Sequence, residues 1–201
     1  GLHGVLAYHL HTCGFTGLND APSDIFNTII GDSFDKGAVI ENLGVEYRIQ
    51  KNYFKLHACC RFNHPAVDAV LSAALSRNFG VEEVESIHVS VPTMLDGMLG
   101  EYPNNMLAAK FNVPYAVAVA VIFGKADTTV FRPRVIADKN VKEMAGRVIV
   151  EIDATLIDGQ ILPKTIASIH LKNGDTLSGE TRLVRGDYAN PIQRDELERK
   201  F

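Results

Sequence analysis

Cysteine is scarce in this chain, and the sequence has no long apolar run. Two of its three cysteines, Cys59 and Cys60, are adjacent, so a disulfide framework is excluded and a reducing compartment is favoured. The longest apolar run, Tyr115 to Gly124, is too short to span a bilayer. The segment from Gly1 to Cys13 lacks the basic start and the cleavage site of a signal peptide. We therefore expect a protein of the cytoplasm, or of an organelle matrix, with no membrane partner.

Runs of basic residues are also missing. The formal net charge of the 201 residues is −4, and no cluster of lysine or arginine forms a basic stripe, so binding to nucleic acid is not expected. With 46% hydrophobic and 22% charged residues, the composition is that of a globular chain. The length is sufficient for a sizeable core.

What the sequence does contain is a dense polar segment from Lys55 to His64, in which cations, thiols and imidazoles crowd together. Pro65 suits the first turn of a helix, where its missing N–H is harmless, and apolar residues then repeat at helical spacing as far as Leu75. The polar segment is therefore predicted to precede the N-terminus of a buried helix, at the positive end of the helix dipole. Such a position suits an anionic ligand.

Four side chains of the polar segment are candidates for chemistry. Lys55 is either a partner for a substrate carboxylate or developing enolate, or a solvated lysine. Arg61 offers a fork to a carboxylate, or forms a surface ion pair. His64 titrates near neutral pH and either meets a ligand or caps the helix, while His57 shares the alternating face of Lys55. The predicted catalytic residues are Lys55, His57 and His64, and Arg61 is predicted to bind substrate.

No metal ion is expected. Cys59 and Cys60 are adjacent and point apart, so they cannot easily share a metal, and we interpret them as packing residues. His9 and Cys13 lie one helical turn apart, but two ligands do not make a zinc site. Three further acidic residues are interpreted as turn residues rather than catalytic acids: Asp153, Asp158 and Asp175.

The periodicity of apolar residues predicts an α+β fold with an antiparallel sheet and flanking helices. Asn173-Gly174 between two extended segments is a strong hairpin signal. Helices are predicted over 2–13, 22–30, 65–78, 110–123 and 139–145, and from Asn190 onward. Strands are predicted at 45–49, 87–91, 148–152, 164–171 and 176–184.

Three segments resemble a known family in the same order along the chain. The first is Gly4 to Gly17, which closes in Gly14-Phe15-Thr16-Gly17; the second is Lys55 to Ala69, with Cys59-Cys60-Arg61 and His64-Pro65-Ala66; the third is Ala108 to Ala118, with Ala109-Lys110-Phe111. Together they resemble the 2-methylcitrate dehydratase (MmgE/PrpD) family. Its members include dehydratases, cis-aconitate decarboxylases and an iminodisuccinate epimerase.

The resemblance implies a domain organisation. Full chains of the family are more than twice this length, with an all-α helical domain made from both chain ends and an α+β lid domain between them. Residues 1–52 would be the end of the N-terminal part of the helical domain, 53–188 the lid domain, and 189–201 the start of the return to the helical domain. Both ends of the sequence thus look cut.

The resemblance also implies a cofactor-independent lyase or isomerase acting on a small di- or tricarboxylate. It places Lys110 and Asn112 near the active cleft as substrate-binding residues, with Asn112 where the family usually has serine. Cys60 stands where the decarboxylases carry a catalytic histidine, which argues against decarboxylation. The general base would come from the helical domain. The alternative is a non-catalytic lid fragment that binds a partner or dimerises, and we expect a homodimer or association with a chain that supplies the rest of the helical domain.

Overall fold

The computed structural model describes residues 1–93, 97–157 and 164–200 of the chain, so the predicted turn residue Asp158 lies outside the described residues. The chain divides into two compact units, Gly1–Arg48 and Ile49–Phe201. Each unit has its own secondary structure. Among the described residues, none of the helices is long and apolar enough to cross a membrane.

The first unit is helical and has no core of its own. Every residue from 1 to 48 is exposed or half-buried. Its first helix carries large apolar side chains in the open, with Leu2 79% and Val5 57% exposed. Its helices are α1 (Leu2–Thr12), α2 (Ala21–Asp24), which continues as a π-helix over Ile25–Ile30, and α3 (Lys36–Ile40).

The strand predicted at 45–49 is wrong. The N–H groups of Val45 and Glu46 both donate to the carbonyl of Asn42, at 2.9 and 3.0 Å, and a 3₁₀ helix follows at Arg48–Lys51. Alternating side chains favour a strand only where a second strand can accept its hydrogen bonds. Here the local turn accepts them instead.

The second unit is an α+β domain, which confirms the predicted fold class. Its sheet has four strands in the order β2-β1-β3-β4. The elements before the third strand are α4 (His64–Ala74), β1 (Val84–Val91), α5 (Met106–Phe111), α6 (Val113–Phe123), α7 (Pro133–Ile136), α8 (Lys139–Ala145) and β2 (Val148–Ile152). The elements after it are β3 (Thr165–Leu171), β4 (Thr176–Thr181) and α9 (Arg194–Lys200).

The sheet is mixed rather than wholly antiparallel as predicted. Strand β1 pairs antiparallel with β3, and β3 with β4, in the hairpin that Asn173-Gly174 closes. Strand β2 pairs parallel with β1, so that Ile87 lies opposite Val148. A parallel pair needs a long crossover, and the four helices α5 to α8 between β1 and β2 provide it. Alternation alone indicates which face a residue occupies, not the direction of the neighbouring strand.

Two predicted helices differ from the observed ones: one is divided in two, and the other is shorter. The helix predicted over 110–123 is two helices, α5 and α6, separated by Asn112. The Asn112 side chain accepts a hydrogen bond from Tyr115 N at 2.8 Å and so caps the second helix. The helix predicted to reach Asn78 ends at Ala74.

Helices α4 and α6 cover one face of the sheet and form the core with it. Two small residues on the buried face of α4, Ala69 and Ala73, are fully buried. Gly179 of β4 faces them. A Cβ at Gly179 would lie 2.3 Å from Ala69 O and 2.4 Å from Ala73 N, so the helix backbone occupies the place of a side chain.

We expect Gly179→Ala to destabilise the protein. The added methyl group meets backbone atoms that cannot move aside, and overpacking of this kind costs roughly 1–3 kcal/mol in the free energy of unfolding. Ser178→Ala, at an exposed neighbouring position of the same strand, is the matched control. Urea unfolding followed by circular dichroism measures both; equal midpoints for the two variants would contradict the close approach.

Candidate functional site

In the structure the polar segment extends over residues 53–64, and its backbone fixes it to the rest of the second unit. Phe54 N donates to Gly186 O, and Ala58 N donates to Ala126 O, both at 2.8 Å. A third bond, from Cys60 N to Lys110 O, also measures 2.8 Å. These three contacts reach three separate parts of the chain, so the segment is an ordered part of the domain rather than a free loop.

Gly186 is required where the polar segment meets the loop after β4. Its φ is +96°, a conformation that other residues rarely adopt, and a Cβ there would lie 2.0 Å from Phe54 O. The two backbones therefore touch directly.

His57 is bound to a buried carboxylate. Its Nε2 lies 2.8 Å from Asp68 Oδ1, and both residues are buried. Because a carboxylate oxygen accepts, the imidazole donates. The second oxygen of Asp68 accepts the backbone N–H of Arg185 at 2.9 Å. Asp68, on the first half of α4, thus joins the polar segment to the loop after β4.

His64 is fully buried, and both of its ring nitrogens are engaged. Nε2 lies 3.3 Å from Cys59 O, and Nδ1 lies 2.5 Å from the Tyr53 hydroxyl. The Cys59 carbonyl can only accept, so Nε2 carries the proton, Nδ1 accepts, and Tyr53 donates. Burial, together with the neighbouring His57, lowers the pKa of His64 to about 4, so the ring is neutral at pH 7.

Two more groups of the polar segment are kept neutral by burial. Burial raises the pKa of the Cys59 thiol to about 12, and it raises the pKa of the Tyr53 hydroxyl well above its ordinary value. Neither group is a nucleophile or a base at neutral pH. Cys59 belongs to the core, and Cys60 is half-buried against it.

Lys55 lies on the outside of the same arrangement. Its side chain is exposed, and its ammonium donates to Cys59 O at 3.2 Å. That carbonyl is the one to which His64 also donates. The ammonium is therefore held by the polar segment while it faces solvent.

Arg61 lies at the edge of a cavity. Its guanidinium stacks 4.2 Å from the centre of the Tyr53 ring and lies 3.3 Å from Asp187 Oδ2. The adjacent cavity has a volume of about 400 Å³, and Arg182 is a second cation in its wall. Apolar residues make up most of the remaining wall, including Phe62, Pro65, Val91, Leu183 and Val184.

The other two predicted substrate-binding residues, Lys110 and Asn112, form hydrogen bonds to groups inside the fold. The carbonyl of Lys110 accepts from Cys60 N and from Asn63 Nδ2, the latter at 3.3 Å. Asn112 is buried, and its amide is used inside the fold: besides capping α6, it donates to Gly100 O and Glu101 O, each at 3.2 Å. The structure thus places Lys55 and Arg61 at the surface, and His57, His64 and Asn112 in the interior.

Sequence reasoning missed Tyr53, Asp68 and Arg182. Asp68 had a usable signal, because a carboxylate inside the apolar run Val67-Asp68-Ala69-Val70 must find a partner when it is buried. Tyr53 and Arg182 had none, since their roles depend on contacts across the fold. In the part of the chain that the structure describes, no three potential ligands lie together as a metal site.

Residues 57–201 match the family model described as the MmgE/PrpD C-terminal domain. The match covers most of the second unit, including α4 and all four strands. A comparison with curated proteins finds no match.

We expect the free energy of unfolding to fall as the pH drops from 6.5 towards 4. The unfolded chain protonates His64 near its ordinary value of 6.5, but the folded chain only near 4. In that window the unfolded state binds more protons than the folded state. The free energy of unfolding therefore falls by up to about 1.4 kcal/mol for each pH unit below 6.5, and by roughly 3 kcal/mol in total.

Urea unfolding across this pH range measures the effect. His64→Gln should flatten the dependence by about one proton, and His88→Gln, at a half-buried position on β1, is the control for the loss of a histidine. A His64→Gln variant with the wild-type slope would assign the acid sensitivity to another group.

Proposed function

The chain belongs to the MmgE/PrpD family, and from that premise we propose that it acts, as part of its enzyme, in a 2-methylcitrate dehydratase-like lyase reaction. The substrate is a small di- or tricarboxylate, and the reaction needs no cofactor. A proton is removed from the carbon next to a carboxylate, which leaves an enolate. The C–O bond on the neighbouring carbon then breaks as its hydroxyl takes up a proton, so that a double bond and water are formed.

The observation that carries this proposal is the pair of exposed cations, Lys55 and Arg61, on one ordered segment, of which Arg61 lines a cavity. An enolate next to a carboxylate gathers negative charge, and preorganised cations stabilise such charge without reorganisation during the reaction. The cavity of about 400 Å³ has two arginines and one carboxylate, that of Asp187, in its wall, so its lining charges are net positive and its size suits a small polycarboxylate.

We assign the roles in substrate binding to the exposed side chains. Lys55 and Arg61 can reach an anion, so we propose Lys55 as the residue that stabilises the enolate and Arg61 as the residue that binds a carboxylate. The general base belongs, in this proposal, to the helical domain. Cys60 in place of a histidine argues against decarboxylation. Epimerisation is the runner-up to dehydration, because both reactions begin with the same proton abstraction.

A second candidate is association without turnover, and a specific feature of the first unit favours it. Leu2, Val5, Leu6 and Leu10 of α1 are all exposed in that unit. Apolar surface of this kind is typical of an interface. We therefore propose a homodimer, or association with a chain that supplies further helices. From the cysteine usage of the sequence, we propose the cytoplasm or an organelle matrix as the compartment.

We expect Lys55→Ala to lower turnover of the preferred polycarboxylate by about two to four orders of magnitude, because it removes a cation that acts on the transition state. Proton NMR of a panel of di- and tricarboxylates measures turnover in the intact enzyme. The control is Lys139→Ala, an exposed lysine of α8. Equal turnover in the two variants, with unchanged melting, would remove Lys55 from the site.

We also expect the chain to self-associate through α1. Sedimentation velocity over a range of concentrations should show species larger than the monomer, and Leu6→Glu should shift them towards the monomer. His3→Glu adds the same charge on the same helix without removing a large apolar side chain. A monomer at every concentration, with no binding of a hydrophobic dye, would contradict the proposed interface.

A further inference from the structure

We propose that Tyr53 and His64 are positioning residues, which orient the Lys55 ammonium through the carbonyl of Cys59. The inference deepens the proposed function and rests on it for its effect on catalysis. It gives His64 a role different from contact with substrate. It also gives a role to Tyr53, which no sequence motif points to.

The first step is the fixed proton on His64. Because the Cys59 carbonyl can only accept, the proton of the neutral ring is on Nε2, and the Tyr53 hydroxyl donates to Nδ1 on the other side of the ring. The opposite tautomer would place two lone pairs, those of Nε2 and the carbonyl, against each other. The Cys59 carbonyl therefore sets the tautomer, and the Tyr53 hydroxyl holds the ring in place from its other side.

The second step is the peptide unit between Cys59 and Cys60, which is held on both sides. Its carbonyl accepts from His64 Nε2 at 3.3 Å, and its N–H donates to Lys110 O at 2.8 Å. A peptide held at both ends cannot rotate without breaking one of these bonds. The direction of the carbonyl oxygen is thus set from inside the fold.

The third step is the ammonium itself. Lys55 Nζ donates to that same carbonyl oxygen at 3.2 Å, so the oxygen joins one buried donor and one exposed donor. A lysine side chain has four rotatable bonds, and a fixed acceptor limits where its charge can lie. His64 acts on the exposed charge although the ring itself is fully buried.

Tyr53 makes two contacts, and different substitutions can remove one or both of them. Its hydroxyl bonds to His64, whereas its ring face carries the Arg61 guanidinium, 4.2 Å from the ring centre. Tyr53→Phe removes the first contact and keeps the second. Tyr53→Leu removes both, so it should also disturb carboxylate binding by Arg61.

The test compares Tyr53→Phe with Tyr102→Phe in the intact protein. Tyr102 is the matched control, because it is also half-buried and its hydroxyl also donates to a fold-internal acceptor, Ile136 O at 2.8 Å. Three readouts are needed: the ¹⁵N shifts of the His64 ring, the ¹H–¹⁵N signal of the Lys55 ammonium assigned with Lys55→Gln, and kcat and KM on the polycarboxylate panel.

We expect wild-type His64 to be protonated on Nε2 only. Tyr53→Phe should change the His64 and Lys55 signals and lower kcat by up to about 100-fold with little change in KM, the scale that a small misplacement of a catalytic group costs. Tyr102→Phe should leave all three readouts unchanged. Tyr53→Leu should add a rise in KM. Since Tyr53 acts through Lys55, the double variant Tyr53→Phe/Lys55→Ala should turn over no more slowly than Lys55→Ala.

Three results would overturn the inference: His64 protonated on Nδ1 in the wild type, a Lys55 signal that Tyr53→Phe does not move, or additive losses in the double variant. If the wild type converts no polycarboxylate of the panel, the proposed function fails separately. The two NMR readouts then still decide whether Tyr53 and His64 position the ammonium.

Discussion

The buried carboxylate of Asp68 is the group on which the arrangement of the second unit around the polar segment depends. One of its oxygens accepts from His57 and the other from the backbone of Arg185. A carboxylate taken out of water without such donors is strongly destabilising, so both partners stabilise the packing of α4. One side chain thus links the polar segment, α4 and the loop after β4.

The parts of the fold that could be predicted from sequence are those where side-chain periodicity decides the structure. The helix at 139–145, the strand at 148–152 and the hairpin around Asn173-Gly174 have this character, and all three are present. The direction of β2 could not be predicted, because alternation is the same in parallel and antiparallel pairs. The strand expected at 45–49 failed because a strand needs a neighbour, which periodicity does not supply.

The residue types of the site could be predicted from the sequence, but the direction in which their side chains face could not. The residue types between Lys55 and His64 indicated anion chemistry, but their spacing fits imidazoles that face solvent as well as imidazoles that face the core. Burial was decided by partners eleven residues away, Tyr53 for His64 and Asp68 for His57. The exposed members of this short motif, Lys55 and Arg61, thus face solvent, whereas the buried members, His57 and His64, bond to groups inside the fold.

The two roles of the Asn112 side chain limit which residues can replace it. Its oxygen caps α6, as the serine usual in the family would, but its nitrogen also donates to the carbonyls of Gly100 and Glu101. A serine hydroxyl has one proton and cannot replace both donors. Replacing the asparagine by serine would preserve the helix cap and leave at least one of these two carbonyls without its donor. A substitution that suits the helix can therefore change how firmly the backbone at Gly100 and Glu101 is held.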